Sequence, residues 1–366
     1  MAIKASGGNP PTNSLSFSEI ENEFGQNSKR SLGDYRMNNL NIGALSEVSL
    51  SRDGCGINAN SDIPVDNQTI RFSDFYSAKQ NIIIDFHSSN QNRKNAKNDK
   101  YNASSANGNF TVVGSSSKPT STSGKKVIIH VTKLIGSAKG NVNNVALRTG
   151  NWDSGTEVLV EVDGGTIMGA GGDGGNGREA TSGLPGGDGT SGLGIDYNGT
   201  KIQTSEGGLI ACGFGGGGAG GGGETKKEGS RWGGGRGPEV KAGGGGGGGG
   251  QGVPGGDGGT SPENRNGTAG SATAAGEGGE GAEVASRGDA TINGGTGGEG
   301  GHTGDTSADT GENAFLSGGR HENPSTSSGA SGGSNGAAIR KGNGSINFTL
   351  VGSPNIVGST NATGIS

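Results

Sequence analysis

The sequence predicts a mainly β protein: a small N-terminal attachment module, a β-sandwich-like domain, then β-solenoid-like rungs leading into packed polyglycine II helices. Three observations predict it. Glycine accounts for 84 of 366 residues and crowds into the second half, while apolar residues are only 27% and aromatics 4%. Short β-rich runs bounded by Gly, Asn, Asp and Ser fill the stretch from 81 to 165. The pattern "VDGGTIMGAGGDGGNG" at 162–177 is then echoed by "SEGGLIACGFGGGGAG" at 205–220.

The first stretch, 14–37, reads as short capped pieces. Ser16 or Ser18 is placed to cap a helix, with Glu19 or Glu21 in its first turn. Phe17, Ile20 and Phe24 recur at helical spacing and share a face. "SLGDYR" (31–36) and "TIRFSDFYSAK" (69–79) add Tyr35, Phe72, Phe75 and Tyr76. These pieces are too short to be stable alone, so they read as a docking module over 1–79.

From 80 to 162 the runs "NIIIDFH", "NFTVVG", "KKVIIHVTKLIG", "NVALRTG" and "TEVLVEVDGG" predict strands of a sandwich or small barrel. Alternation puts Ile128 and His130 on one face and Val127, Ile129 and Val131 on the other. His130, with no partner cluster nearby in sequence, is expected at a surface or edge.

The glycine-rich part, 163–342, carries the repeat already quoted, with "DATINGGTGGEGG" (289–301) as a weaker third copy. Residues 343–358 return to β without a glycine burst. Strands repeated with glycine turns predict stacked rungs from which the bursts leave together on one side. In an extended threefold helix, the amides and carbonyls of glycine point outward, so such helices can bond sideways to one another. Fixing eight glycines costs on the order of 8–16 kcal/mol, which one burst cannot recover and several packed bursts can. The run at 243–250 is then expected in the interior of that packing. A flexible linker is the alternative, but islands such as "LIACGF" and "ENAFLSGG" carry apolar residues that a spacer does not need.

Several chemistries find no support. Glycine lacks the collagen phase, and no apolar run is long enough to span a membrane. Residues 1–9 lack the parts of a signal peptide. Cys55 and Cys212 are expected as free buried thiols. Four histidines and the absence of a basic tract predict no metal site, cofactor or nucleic-acid partner. "GAGGDGG" (169–175) lacks the strand–turn–helix context of a dinucleotide site. Asp163, Asp173 and Asp188 read as turn formers beside glycine. Carboxylates are plentiful but nothing in the sequence singles out a catalytic pair, so no catalytic residue is predicted and the chain is expected not to be an enzyme.

Loops leaving a rigid glycine array would be preorganised for binding. Candidates are 196–201, 224–241, 261–269 and 316–329. The second holds Arg231, Trp232 and Arg236, an aromatic platform with two donors suited to a sugar or an acidic surface group. Arg320 and His321 are further candidates.

Two features resemble a known class. "LSFSEIENEFG…SLGDYR" and "IRFSDFY" resemble segments near the start of tail-associated virion proteins of tailed bacteriophages, including those of cyanobacteria. The glycine bursts resemble those of phage receptor-binding adhesins, which fold as packed polyglycine helices with recognition loops at their ends. The resemblance implies a tail fibre, tail tip or adhesin located in the virion tail. Phe17, Ile20, Phe24, Tyr35, Phe72, Phe75 and Tyr76 would then serve attachment to other tail proteins. The loops with Arg231, Trp232, Arg236, Arg320 and His321 would meet a host polysaccharide or outer-membrane protein. A homo-oligomer is implied, with a trimer as one arrangement. A purely structural appendage stiffened by the glycine array is the alternative. The boundaries expected are 1–79, 80–162, 163–342 and a C-terminal β segment at 343–366.

Overall fold

The computed structural model describes residues 15–24, 69, 71–72, 81–89, 91–102, 110–112, 118–226, 239–285, 291–318 and 322–366. Near the start, helix α1 (Phe17–Phe24) opens with a reciprocal cap. Ser16 Oγ accepts the Glu19 N–H at 3.3 Å while Glu19 Oε2 accepts the Ser16 N–H at 2.8 Å. Ser16, rather than Ser18, is therefore the capping residue, and two otherwise orphaned donors are satisfied.

From 81 onward the chain lays down strands in triplets. The first is β1 (Asn81–Phe86), β2 (Gln91–Asn92) and β3 (Lys94–Asn95), followed by β4 (Thr111–Val112). The second is β5 (Lys126–Val131), β6 (Leu134–Gly136) and β7 (Val145–Arg148). The third is β8 (Glu157–Asp163), β9 (Thr166–Met168) and, after an excursion, β10 (Ser191–Ile195). The fourth begins with β11 (Thr200–Ser205) and β12 (Leu209–Ala211). A longer excursion follows, holding β13 (Gly223–Lys226), β14 (Glu239–Ala242), β15 (Glu283–Ala285), β16 (Thr291–Asn293), β17 (Phe315–Ser317) and β18 (Glu322–Thr326). β19 (Ile339–Lys341) completes that triplet, and β20 (Phe348–Leu350), β21 (Ile356–Val357) and β22 (Ala362–Thr363) make a fifth.

Corresponding members stack into three sheets, ordered β4-β1-β5-β8-β11-β20, β2-β6-β9-β12-β21 and β3-β7-β10-β19-β22. Apart from the antiparallel β4, every pairing in them is parallel. The expected sandwich over 80–162 is therefore corrected. Its strands do not close on one another; each sheet is completed by strands after 190. The expected C-terminal β segment supplies the outermost strand of each sheet. The weak third repeat also differs, since β16 pairs antiparallel with β15 and β17 in a small separate sheet.

Register explains the core. Ile84, Ile129, Val160 and Ile202 lie side by side across four strands, as do Phe86, Val131 and Val162 across three. With Ile135, Ile167 and Ile210 of the second sheet and Leu147, Leu193 and Ile339 of the third, they form one buried cluster. Each such side chain contributes roughly 1.5–3 kcal/mol on burial.

The other face of the first sheet holds a surprise. The surface or edge position expected for His130 is corrected: it lies on β5 between β1 and β8 and is fully buried. Two carboxylates flank the ring. Nδ1 is 3.1 Å from Asp85 Oδ1, and Nε2 makes an ionic contact with Asp163 Oδ2 at 3.5 Å, without hydrogen-bond geometry. Glu161 is in register beside it. Burial alone lowers the imidazole pKa, but the Asp85 hydrogen bond and the charges of Asp85, Glu161 and Asp163 together outweigh it and leave the value raised.

The two excursions leave from the same corner, between the second and third sheets. They contain ten glycine-rich segments running alternately out and back: 169–177, 183–190, 213–222, 243–250, 255–260, 267–271, 276–282, 294–301, 308–314 and 329–336. Their backbones bond sideways with a three-residue repeat. Along 213–222, the N–H groups of Gly213, Gly216 and Ala219 go to Thr190, Gly187 and Leu184. Those of Phe214, Gly217 and Gly220 go to Gln251, Gly248 and Gly245, and those of Gly218 and Gly221 go to Asp309 and Glu312. Its carbonyls accept from three further segments, through Gly172 and Gly175, through Gly295, Gly298 and Gly301, and through Ala330, Gly333 and Gly336. The segment thus has six neighbours, as does the eight-glycine run 243–250, every residue of which is buried.

That packing leaves little room for side chains, and 213–222 carries only Phe214 and Ala219 among its glycines. A Cβ on Gly247 would sit 2.1 Å from the Gly217 carbonyl oxygen. Outer segments keep two glycines facing inward and spend the third position on a polar residue, as in "GEGGEG" at 276–281. Asp173 and Asp188 belong to this set and are not turn formers. Asp173 Oδ1 accepts the Asp257 N–H, Asp188 Oδ1 the Ser334 N–H and Asn176 Oδ1 the Thr260 N–H, all at 2.8 Å. Lys139, in the short β6–β7 connection, bridges Asp173 at 2.8 Å and Asp257 at 2.9 Å. Cys212 is free and buried at the root of the array, and burial pushes its thiol up to about 11; Cys55 lies outside the described residues.

Two predictions follow from this packing. Gly247→Ala should cost about 1–3 kcal/mol or more, because two backbones must part. Gly344→Ala, which has nothing within 4 Å of its Cβ, should stay within about 0.5 kcal/mol. Denaturant midpoints compare the two, and equal costs would contradict the packing described. For His130 the folded pKa is raised, so its ionic contribution is complete below the ordinary value of about 6.5 and is lost as pH rises through the folded value. The stability difference between the wild type and His130→Gln should therefore be largest in mild acid and shrink with rising pH. A difference that stays flat or grows as pH rises well into the alkaline range would contradict this linkage.

Candidate functional site

The out-and-back path fixes where the chain has freedom. Near the sheets, returns such as 251–254 are pinned; the Ser137 N–H, for example, reaches the Val253 carbonyl at 2.9 Å. At the opposite end five connections emerge: 178–182, 223–242, 261–266, 283–293 and 315–328. Two small antiparallel sheets, β14-β13-β18 and β15-β16-β17, gather most of them. Val240 and Ala242 pack with Ala282 and Ile292 between these sheets, with Val284 and Leu316 alongside. Glu263 Oε1 accepts the Gly243 N–H at 3.2 Å, satisfying the donor at which the eight-glycine run begins.

Alternation along β15–β17 turns Ile292, Leu316 and Val284 inward. It leaves Asn293 and Phe315, which are paired in register, on the opposite face. Phe315 is 54% exposed, the most exposed large hydrophobic side chain among the described residues. Beside it Asn293 Nδ2 donates to Ser317 Oγ at 3.1 Å. An exposed aromatic next to amide and hydroxyl groups offers both an apolar contact and directional hydrogen bonds. Sequence reading passed over Phe315, which sits one residue before a loop it had singled out. The signal was a lone large aromatic in an otherwise small and polar stretch.

Arg231, Trp232 and Arg236 fall in the β13–β14 connection, and Arg320 and His321 in the β17–β18 connection; all five lie outside the described residues. The strands that bracket them are neighbours, because β13 pairs with both β14 and β18. Lys226 is opposite both Glu239 and Glu322, so the two connections leave from the same edge of one sheet. Of the attachment set, Phe17 and Phe72 meet edge-on at 6.4 Å, and Phe72 is 40% exposed. Ile20 is fully buried within this chain, so it serves internal packing rather than an exposed docking face. Phe24 ends α1, and Tyr35, Phe75 and Tyr76 lie outside the described residues.

A stacked β base that projects a glycine-rich array held by main-chain bonds and collects its connections at the far end has the build of an adhesive tip. The family model for the phage tail fibre adhesin Gp38 matches residues 83–361, and the chain belongs to that family. It is a tail adhesin of a phage virion. The chain is also similar to a chain in the crystal structure of the gp37-gp38 adhesin tip complex of the bacteriophage S16 long tail fiber. The identity is 18%, 84% of this chain and 93% of that chain are covered, and the TM-score is 0.33. No curated protein matches the chain.

Proposed function

We propose that the chain is the receptor-contacting tip of a tail fibre. In this reading the strand triplets are rungs of a β-solenoid, the glycine segments are polyglycine II helices, and the far-end connections meet the host surface. One observation supports it above the others. The three-residue bonding repeat of 213–222 and 243–250 matches the threefold helix and spends their amides and carbonyls on neighbours. Variation is then confined to the far-end connections. Phe315, Trp232 and Arg236 are the residues assigned to receptor contact, with Arg231, Arg320 and His321 beside them. Attachment to another tail fibre protein is assigned to the N-terminal region, through Phe17 and Phe72. The chain works by binding, without catalysis.

The test compares binding of the intact chain to cells of the phage's host strain with binding of Phe315→Ala and of the Trp232→Ala, Arg236→Ala double variant. Loss of a desolvated aromatic or arginine anchor weakens binding by about tenfold or more. That loss is expected with an unchanged melting temperature. A well-folded chain that fails to bind would leave a purely structural appendage instead, and variants that bind as tightly as the wild type would remove these residues from the receptor contact.

A further inference from the structure

A second concavity lies far from the glycine array's outer end, at the corner where the third sheet hands the chain back to the first. It encloses about 500 Å³ and is lined almost entirely by polar groups. Its position follows from strand register. Asn95, Arg148, Gly194 and Arg340 are aligned across β3, β7, β10 and β19. Three residues beyond each of these positions the chain places Asn98, Asn151, Tyr197 and Asn343. Three of those four line the concavity. The stack therefore presents asparagines at one corner on its first, second and fourth levels, with levels separated by about 4.8 Å.

The chemistry of these amides is specific. Asn98 and Asn151 are exposed, and neither side chain makes a hydrogen bond among the described residues. Asn343 Oδ1 is held by the Ser345 N–H at 3.0 Å and Ser345 Oγ at 2.6 Å, leaving its Nδ2 group to donate. Backbone positions are fixed. The Asn98 N–H is bound by Asn95 Oδ1 at 2.9 Å at the start of the π-helical turn Ala96–Tyr101, and the Asn151 carbonyl accepts from Lys97 Nζ.

The cations of the concavity are already engaged. Arg148 makes a paired contact with Asp196 at 3.1 and 2.8 Å. Lys97 lies 5.4 Å from the centre of the Trp152 ring and 3.8 Å from Asp153. A phosphate or sulfate would have to displace these partners. Amides both donate and accept, as hydroxyls do, and Ile346 and Ile365 in the wall offer a small apolar surface to a C–H face.

We propose that this corner binds a neutral saccharide, with Asn98, Asn151 and Asn343 reading the hydroxyls of pyranose residues laid along the stack. The site is separate from the far-end surface and does not depend on that surface contacting a receptor. The intact chain is titrated with neutral disaccharides (lactose, maltose, cellobiose), with inorganic phosphate, and with the envelope polysaccharide of the host strain. The readout is the amide NMR signals of residues 97–102, 150–151 and 342–346. Saturable shifts of these signals with a neutral sugar are expected. They should weaken at least tenfold in Asn98→Ala, Asn151→Ala, and persist in Phe315→Ala. Shifts with the polysaccharide mark a surface glycan as the source, and shifts with the disaccharides alone mark a free sugar. No saturable shift with any sugar, shifts indifferent to the asparagine substitutions, or a stronger response to phosphate would overturn the proposal. Failure here alongside intact host-cell binding would remove this site and leave the far-end reading standing.

Discussion

The structure depends on one constraint, which is that a buried backbone amide or carbonyl must find a partner. In a sheet the partners lie in one plane. Along 213–222 and 243–250 they lie in three directions, with donors and acceptors alternating among six neighbours. Such an arrangement demands that neighbouring backbones touch, and a carbonyl oxygen 2.1 Å from where the Gly247 Cβ would sit leaves no choice of residue. A single hydrogen bond nets only about 1 kcal/mol, while fixing each glycine costs more than fixing any other residue. The array is therefore stable only as a whole. The β base supplies what the array lacks, since its ladders of Ile, Val and Phe are the largest apolar cluster among the described residues.

Much of this was legible in the sequence, and the legible part had a local cause. The echo between 162–177 and 205–220 exists because each holds a strand of the second sheet followed by an outgoing glycine segment. The missing burst at 343–358 marks a triplet from which no excursion leaves, as in the first two. The difference between interior and outer segments is also written in the chain: unbroken glycine at 243–250, and glycine pairs with a polar third residue at 276–281. Asp173 shows how that third position was misread. Beside glycine it looks like a turn residue, yet it satisfies the Asp257 amide at the rim of the array.

What stayed hidden depended on distant partners. The strands of 80–162 looked like a sandwich because alternation reveals faces but not which strands pair. Their parallel neighbours come from beyond residue 190. His130 illustrates the same limit. Its alternation with Val127, Ile129 and Val131 was plain, but its burial follows from the flanking strands, and its tolerance there follows from Asp85 and Asp163 on two of them. Asn98, Asn151 and Asn343 form no motif, and only the stacking of levels brings them to one corner. Of the loops expected on the array, 261–266 was legible, but 196–201 is the turn joining β10 to β11 in the base, and the exposure of Phe315 required knowing that Ile292 and Leu316 turn inward.

The division of labour between base and array bears on how an adhesin changes its target. An ordinary binding loop is anchored by side chains, so altering it disturbs the packing beneath. Here the segments that carry the connections are held by main-chain bonds whose geometry is indifferent to what lies past their last residue. Lys139 ties the root of the array to the base through Asp173 and Asp257, remote from every far-end connection. The small cluster of Val240, Ala242, Ala282 and Ile292 then fixes the two outer sheets against each other. The same architecture makes the interior intolerant, because a residue that gains a side chain there disturbs neighbours on every side.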